Sequence, residues 1–182
     1  MKREKQINNK GYSLVELIIV IAIIGILSAL SLVTWRSVES ANYKKSVSTF
    51  ESELRTLRTA TMAQSKDMAM KLYLGDDGRY YIERGVYDGT TFAQPTDGTA
   101  LANSDYYKYQ GTSNPVSVTK KGSISFNGTV IDENGIIIQF NKSDGSISTA
   151  KGGGTYTFTR RNGDLVTNVK INTTTGLFTE SY

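Results

Sequence analysis

The sequence predicts an α+β protein, in which one long N-terminal helix precedes an antiparallel sheet. No glycine or proline occurs between Ile26 and Leu74, whereas fifteen of the seventeen glycines and both prolines occur at or after Gly75. Because glycine and proline interrupt helices, we expect a continuous helix before that point and a turn-rich region after it. Several later segments alternate apolar and polar residues, which is the period of a β-strand.

The first part of the expected helix is apolar enough to cross a membrane. The twenty residues from Leu14 to Val33 contain one acid, Glu16, and as a helix they span about 30 Å. A carboxylate near the centre of a bilayer is costly unless it is paired. The run is longer than the apolar core of a secretory signal, and Gly11, the residue suited to a cut, precedes it. The residues predicted to lie in this membrane helix include Leu14, Leu17, Ile21, Gly25 and Leu32.

Charge predicts the orientation of this segment. Four basic residues precede the apolar run, and the nearest basic residue after it is Arg36. The excess favours an N-terminus inside the cell and a large C-terminal part outside. We therefore expect a single-pass membrane segment at residues 12–34 and a continuation of the helix into the head at residues 35–67.

The second half of the helix carries an apolar stripe on one face. Spacings of three and four residues place six side chains together: Tyr43, Val47, Phe50, Leu54, Leu57 and Thr61. This spacing is typical of a helix that packs on a sheet. The charged side chains are expected largely on the other sides: Lys44, Lys45, Glu51, Glu53 and Arg55.

Residues 68–182 are expected to form the β-rich head. Alternation at 68–74 and 79–84 around a GlyAspAspGly turn predicts a hairpin. Residues 85–122 are polar and turn-rich, and they indicate a long variable insertion with one or two short strands. The further strand candidates are Ser123–Phe126, Ile136–Phe140, Thr155–Arg161, Leu165–Asn172 and a short Leu177–Thr179.

The run Gly11-Tyr12-Ser13-Leu14-Val15-Glu16 and the apolar block after it resemble the prepilin-type N-terminal motif of type IV pilins and type II secretion pseudopilins. The resemblance implies that prepilin peptidase removes residues 1–11 as a leader by cutting between Gly11 and Tyr12. It also implies that Tyr12 is then N-methylated, and that Glu16 pairs with the N-terminal amine of a neighbouring subunit. The implied fold is type IV pilin-like, with the helix packed on an antiparallel sheet.

The same resemblance implies a place in the cell and a set of partners. A subunit of this family lies in the bacterial cytoplasmic membrane with its head outside, and then enters an extracytoplasmic pilus or pseudopilus. Its partners are the membrane, prepilin peptidase and other pilin or pseudopilin subunits. Physically, a charged amine formed at Tyr12 can neutralise Glu16 of another chain, and low dielectric strengthens that pairing. The alternative is a plain membrane anchor whose glutamate reaches the interface.

A weaker resemblance concerns the head. Its order of elements, with Ile124–Phe126, Thr155–Phe158, Val169–Ile171 and Thr175-Gly176, is similar to that of the H-type minor pseudopilins and fimbrial minor pilins. This implies a minor or tip subunit. The alternative function is a competence pseudopilin that binds DNA through its head. Some DNA-binding relatives carry a basic cluster after the terminal glycine, but residues 176–180 contain no arginine.

Composition excludes several functions. Removal of residues 1–11 takes four of the 21 basic residues and one of the 17 acids, and the net charge falls from +4 to +1. The high isoelectric point therefore gives no reason to expect a polyanionic partner. The chain has no cysteine and no histidine, so thiol catalysis, imidazole bases and Cys/His zinc sites are excluded. We expect no enzymatic activity and no cofactor.

Four features of the head are candidate sites, and each has a favoured structural interpretation. A basic strip could bind nucleic acid, although a solvated sheet face is favoured; it comprises Arg160, Arg161, Lys170, Lys151, Lys120 and Lys121. Tyr106, Tyr107 and Tyr109 could stack on bases or sugars, but packing within the insertion is favoured. Asp76–Gly78 and Asp132–Gly135 offer calcium ligands without the spacing of a dedicated loop, so turns are favoured and no metal is predicted. Residues 152–154, GlyGlyGly, are expected to form a flexible turn and no phosphate loop.

Overall fold

The computed structural model describes residues 12–63, 67–94, 115–119 and 122–181, without the side chains of residues 29–39. Helix α1 runs from Leu14 to Ala63 and is 50 residues long. The chain divides into two compact units, Met1–Ala41 and Asn42–Tyr182, and α1 contributes to both. The long helix expected from the absence of glycine and proline is therefore confirmed, and so is the α+β class.

Ten strands follow α1 among the described residues of the second unit. They are β1 Met68–Leu74, β2 Tyr80–Tyr87, β3 Phe92–Ala93, β4 Val116–Ser117, β5 Ser123–Phe126, β6 Thr129–Val130, β7 Ile136–Ile138, β8 Thr155–Thr159, β9 Leu165–Ile171 and β10 Phe178–Ser181. A short 3-10 helix, Thr149–Lys151, precedes β8. The β1–β2 hairpin is confirmed, with Leu74 opposite Tyr80 and Met68 opposite Val86. The short strands expected in the insertion are β3 and β4, and both pair with β2.

The antiparallel β head is confirmed, and its described strands divide into two sheets where the sequence indicated one. The first has the order β3-β2-β1-β7, with β4 also paired to β2, and the second has the order β10-β9-β8-β5-β6. The chain crosses between them after β6, where the backbone N–H of Leu74 donates to the carbonyl of Asp132 at 3.0 Å. Strand β7, Ile136–Ile138, therefore pairs with the free edge of β1. It does not pair with β6 or β8, the strands next to it in sequence.

The core lies where the apolar stripe of α1 meets the sheets. All six residues of the stripe are buried, and Phe50, Leu54 and Leu57 are completely inaccessible to solvent. The Phe50 ring lies 4.9 Å from that of Tyr156 and 5.5 Å from that of Phe158, measured between centroids. Buried side chains of this size contribute roughly 1.5–3 kcal/mol each. The prediction of a core-facing stripe is confirmed.

Glu53 is the exception to the expected polar face of α1. It is 5% exposed, because it lies three residues after Phe50 and four before Leu57 and therefore shares their side of the helix. Its carboxylate accepts two hydrogen bonds from Arg84 of β2, from Nε at 2.8 Å and from Nη2 at 2.6 Å. The Arg84 side chain is only 1% exposed. The expectation that Glu53 lies away from the core is wrong, since a buried arginine neutralises it.

The end of α1 is attached to two loops of the head. Arg58 donates from Nε to the carbonyl of Gly145 and from Nη2 to that of Thr175, each at 3.2 Å. Gly176 has φ +64°, and a Cβ there would collide with the carbonyl oxygen of Gly145. Only glycine combines this backbone conformation with so close an approach. The Thr175-Gly176 pair therefore has a packing role at the helix end.

Candidate processing and assembly site

The helix begins with a hydrogen-bonded cap that involves Glu16. Ser13 precedes the first helical residue, and its Oγ accepts a hydrogen bond from the backbone N–H of Glu16 at 3.2 Å. The backbone N–H and the hydroxyl of Ser13 both donate to Oε2 of Glu16, at 3.0 and 3.2 Å. This reciprocal arrangement is a capping box, which satisfies amide groups that the first turn of a helix leaves unpaired.

The cap was not anticipated from the sequence, which assigned Glu16 either a contact between subunits or a place at the membrane interface. The signal was present, because a serine followed three residues later by glutamate at the start of an apolar run is the usual capping-box pattern. The cap leaves Oε1 of Glu16 without a hydrogen bond to any residue that the structure describes. A carboxylate has acceptor sites on both oxygens, so Glu16 retains capacity for a cation.

Tyr12 lies directly before the cap and is 86% exposed. The site therefore combines an accessible residue at the expected cut with a carboxylate held at the start of the helix. The positive end of the helix dipole stabilises a negative charge at this position. An amine brought to the free oxygen would complete the hydrogen bonding of the carboxylate.

The helix after the cap presents apolar side chains that nothing in the described chain covers. Large apolar residues from Leu14 to Leu27 are each more than half exposed; Leu14 is 74%, Leu17 61% and Ile21 58% exposed. At Gly25, a Cβ would meet no atom within 4 Å beyond the glycine, its chain neighbours and the adjacent turns of helix backbone. The side chain of Leu32 lies outside the described residues. Among the described residues, no helix combines the length and hydrophobicity needed to cross a membrane.

Described members of the basic strip considered from the sequence lie at opposite ends of the β8–β9 hairpin. Lys170 lies opposite Thr155 at one end of the β8–β9 hairpin, while Arg160 follows the other end of β8. Five residues of strand separate Thr155 from Arg160, or roughly 17 Å. Arg160 and Arg161 instead lie beside Tyr43, as described below. Lys120 and Lys121 lie outside the described residues, as do Tyr106, Tyr107 and Tyr109.

The two acidic segments form turns, as predicted. The carboxylate of Asp132 accepts hydrogen bonds from the backbone N–H groups of Asn134 and Gly135, at 3.0 and 3.2 Å. The carboxylate of Asp77 accepts one from the backbone N–H of Arg79 at 3.1 Å and one from the hydroxyl of Tyr81 at 2.8 Å. The hydrogen bond from Tyr81 lowers the pKa of Asp77. No group of three potential metal ligands occurs in the part of the chain that the structure describes.

The GlyGlyGly segment is closely packed. Gly152 has φ +88°, and a Cβ there would lie 2.9 Å from the carbonyl oxygen of Ile137. Gly152 and Gly153 are both buried. The segment therefore positions the chain for β8, where the hydroxyl of Tyr156 donates back to the carbonyl of Gly152 at 2.8 Å.

Comparison with known proteins supports the N-terminal assignment. The family model of the prokaryotic N-terminal methylation motif matches residues 7–32. This motif is the signature of type IV pilins and pseudopilins, which are structural subunits. No curated protein matches the chain, and no solved structure matches it. The chain thus carries the pilin signature on an α+β fold, with a long helix and antiparallel sheets consistent with a pilin-like protein.

Proposed function

We propose that this protein is a subunit of a type IV pilus-like or type II secretion filament. Residues 1–11 are the leader, removed by prepilin peptidase between Gly11 and Tyr12, and the new terminal amine of Tyr12 is methylated. The main support is the methylation motif at residues 7–32, inside which Glu16 caps an exposed apolar helix. The order of elements in the head, similar to that of H-type minor pseudopilins, supports a minor subunit.

The exposed apolar helix supports a membrane stage. Apolar surface is driven out of water by about 25 cal/mol for each Å² buried. Residues 12–34 lie in the bacterial cytoplasmic membrane before assembly, with the basic N-terminus inside and the head, residues 68–182, outside. Residues 35–67 carry the chain from the membrane into the head, and helix α1 ends within them at Ala63. In the filament, helices of other subunits replace lipid around the same apolar side chains.

Glu16 sets the stagger between subunits in this proposal. Its Oε2 is occupied by Ser13 of its own chain, and its free Oε1 receives the terminal amine of Tyr12 from a neighbouring subunit. The pairing removes a charge that hydrocarbon tolerates poorly. It is stronger in the low dielectric of a helix bundle than in water.

The test is the N-terminal mass of the full chain recovered from filaments, compared between the wild type and Glu16→Gln. Cleavage and methylation give a chain that starts at Tyr12 with one extra methyl group. Glu16→Gln should lower incorporation by about tenfold or more, because it removes the charge that attracts the amine. Asp144→Asn is the control, since Asp144 is an exposed acid of the head. A retained leader in filaments, or normal incorporation of Glu16→Gln, would contradict the proposal.

A further inference from the structure

The turn between β8 and β9 packs against the beginning of α1 in the second unit. That unit starts at Asn42, and Tyr43 is the first buried residue of α1 in it. The Oη of Tyr43 accepts the backbone N–H of Arg161 at 3.2 Å, and its ring centroid lies 6.0 Å from Cζ of Arg160. Gly122 packs on the same ring, since a Cβ there would lie 2.9 Å from Cε1 of Tyr43. Both arginines therefore lie at the end of the unit where its part of α1 begins.

The side chains of these arginines have no counter-charge in the described chain. Neither has a hydrogen bond or an ion pair with a described residue, and Nε of Arg160 is buried without a partner. Arg58, by contrast, reaches two backbone carbonyls. The acid of the same turn, Asp164, accepts a hydrogen bond from Nδ2 of Asn162 at 2.6 Å. Arg160 is partly exposed and Arg161 fully so, and an oxygen from outside the chain can therefore reach both guanidinium groups.

Two lysines add positive charge at the same end of the unit. Lys44 and Lys45 follow Tyr43 on α1, within about 3 Å of it along the helix axis. Both are exposed, and no described carboxylate pairs with either of them. A flat charged surface acts on all the charges at one end of a unit, whether or not they touch one another. This end therefore suits a negatively charged surface.

The chain itself limits how far this end can lie from a membrane. Nine residues separate Val33, the last residue of the apolar run, from Tyr43. Even a fully extended chain of this length reaches no more than about 36 Å. In the proposed membrane stage the apolar run lies in the bilayer, so the beginning of the head stays within reach of the lipid headgroups.

We propose that the Arg160–Arg161 turn docks the head on the anionic lipid surface of the membrane before assembly, with its guanidinium groups on lipid phosphates. The inference rests on the membrane stage of the proposed function. Arginine suits this contact because its planar fork of N–H donors matches the oxygens of a phosphate. Nucleic acid fits less well, since Lys170 lies at the other end of the β8–β9 hairpin, roughly 17 Å away, and the described residues form no longer basic track.

Energy transfer in vesicles tests the docking. The full chain is reconstituted into vesicles of phosphatidylcholine, with or without phosphatidylglycerol. Because the chain contains no cysteine, Leu165→Cys gives one labelling site; Leu165 begins β9 beside the turn and is 49% exposed. A donor dye there transfers energy to an acceptor dye on lipid headgroups. Transfer should rise with phosphatidylglycerol, and it should fall again between about 0.1 M and 1 M salt as the screening length drops from about 10 Å to 3 Å. A label at Lys170→Cys, an exposed position of the same strand, is the matched control and should respond less.

Variants of the turn separate charge from folding. Each basic residue near an anionic surface contributes about a fivefold preference, so Arg160→Gln with Arg161→Gln should lower the ratio of docked to undocked heads about 25-fold. Arg160→Lys with Arg161→Lys keeps the charge and should retain most of the docking, and Lys170→Gln should leave it unchanged. Near-ultraviolet circular dichroism checks that each variant is folded. Equal transfer with and without phosphatidylglycerol, or equal transfer in the folded glutamine variant and the wild type, would overturn the docking.

Flotation of the same vesicles separates this inference from the proposed function. A chain that floats with the vesicles but shows no response to phosphatidylglycerol refutes the docking alone. A chain that does not float refutes the membrane stage, and the docking with it. If the glutamine variant abolishes a DNA gel-shift of the detergent-solubilised full chain and leaves energy transfer unchanged, the turn binds nucleic acid and the docking is wrong.

Discussion

The buried pair of Glu53 and Arg84 offers the sharpest test of what stabilises the head. The Glu53 side chain is 7% exposed and that of Arg84 is 1% exposed, and two hydrogen bonds of 2.8 and 2.6 Å join them. Glu53→Gln preserves the shape of the side chain and removes the carboxylate charge that both hydrogen bonds of Arg84 reach. We expect the free energy of unfolding to fall by about 3–5 kcal/mol, because removal of one partner leaves an uncompensated buried charge. The melting temperature should fall by about 10 °C.

The assay is thermal unfolding of the full chain in detergent, followed by near-ultraviolet circular dichroism. The buried rings of Tyr80 and Tyr156 make this signal a reporter of the head. Glu53→Leu combined with Arg84→Met should lie within about 1 kcal/mol of the wild type, since replacing a whole buried pair by apolar residues is often neutral. Arg79→Met is the control, because the Arg79–Asp77 pair is about half exposed and should matter much less.

Two results would refute this reasoning. A loss below about 1 kcal/mol for Glu53→Gln would mean that the pair is not desolvated as described. A double variant as unstable as the sum of its single variants would mean that the two side chains act independently, which the double-mutant cycle measures directly.

Two further predictions concern α1. Ser13→Ala removes the capping box and should accelerate amide exchange in the first turn of the detergent-solubilised chain about fivefold, since such a cap contributes about 1 kcal/mol. Ser28→Ala is the control, because the hydroxyl of Ser28 donates to the carbonyl of Ile24 in the middle of the helix. Equal exchange in both variants would contradict the assignment. Burial and the adjacent carboxyl of Glu180 raise the pKa of Glu51 above its ordinary value of 4.5. The folded chain then holds this proton more tightly than the unfolded chain, so stability falls as pH rises from that value through the raised pKa. Glu51→Gln should therefore raise the melting temperature at about pH 7 and have less effect at about pH 4, and an equal effect at both would exclude this linkage.

The periodicity of α1 and of the strands could be predicted because it reflects local physics. The stripe from Tyr43 to Thr61 has helical spacing, and every member of it is buried. The segments Met68–Leu74 and Leu165–Ile171 alternate with the period of a strand, and a glycine-containing turn borders each of them. These signals depend only on residues close in sequence.

Pairing between distant residues could not be predicted in this way. Glu53 is a charged residue on a helix, and the pattern of polarity assigns such residues to solvent. Its burial depends on Arg84, 31 positions later, and no local rule connects the two. The same limit explains the second sheet, because β7 reaches the edge of β1 through contacts between residues distant in sequence, such as that of Leu74 with Asp132.

The cap at Ser13 changes the physical account of how the acid takes part in assembly. If Glu16 entered the membrane without partners, its desolvation would oppose insertion until another subunit arrived. The capping box already supplies hydrogen bonds from a backbone amide and from a hydroxyl, so the lone subunit holds the carboxylate in a defined position. An incoming amine then meets an acceptor whose orientation is set in advance. In the proposed filament, the pairing between subunits adds to the hydrogen bonds that Ser13 already donates to Glu16 within the chain. Ser13 is then the residue that positions Glu16 for assembly.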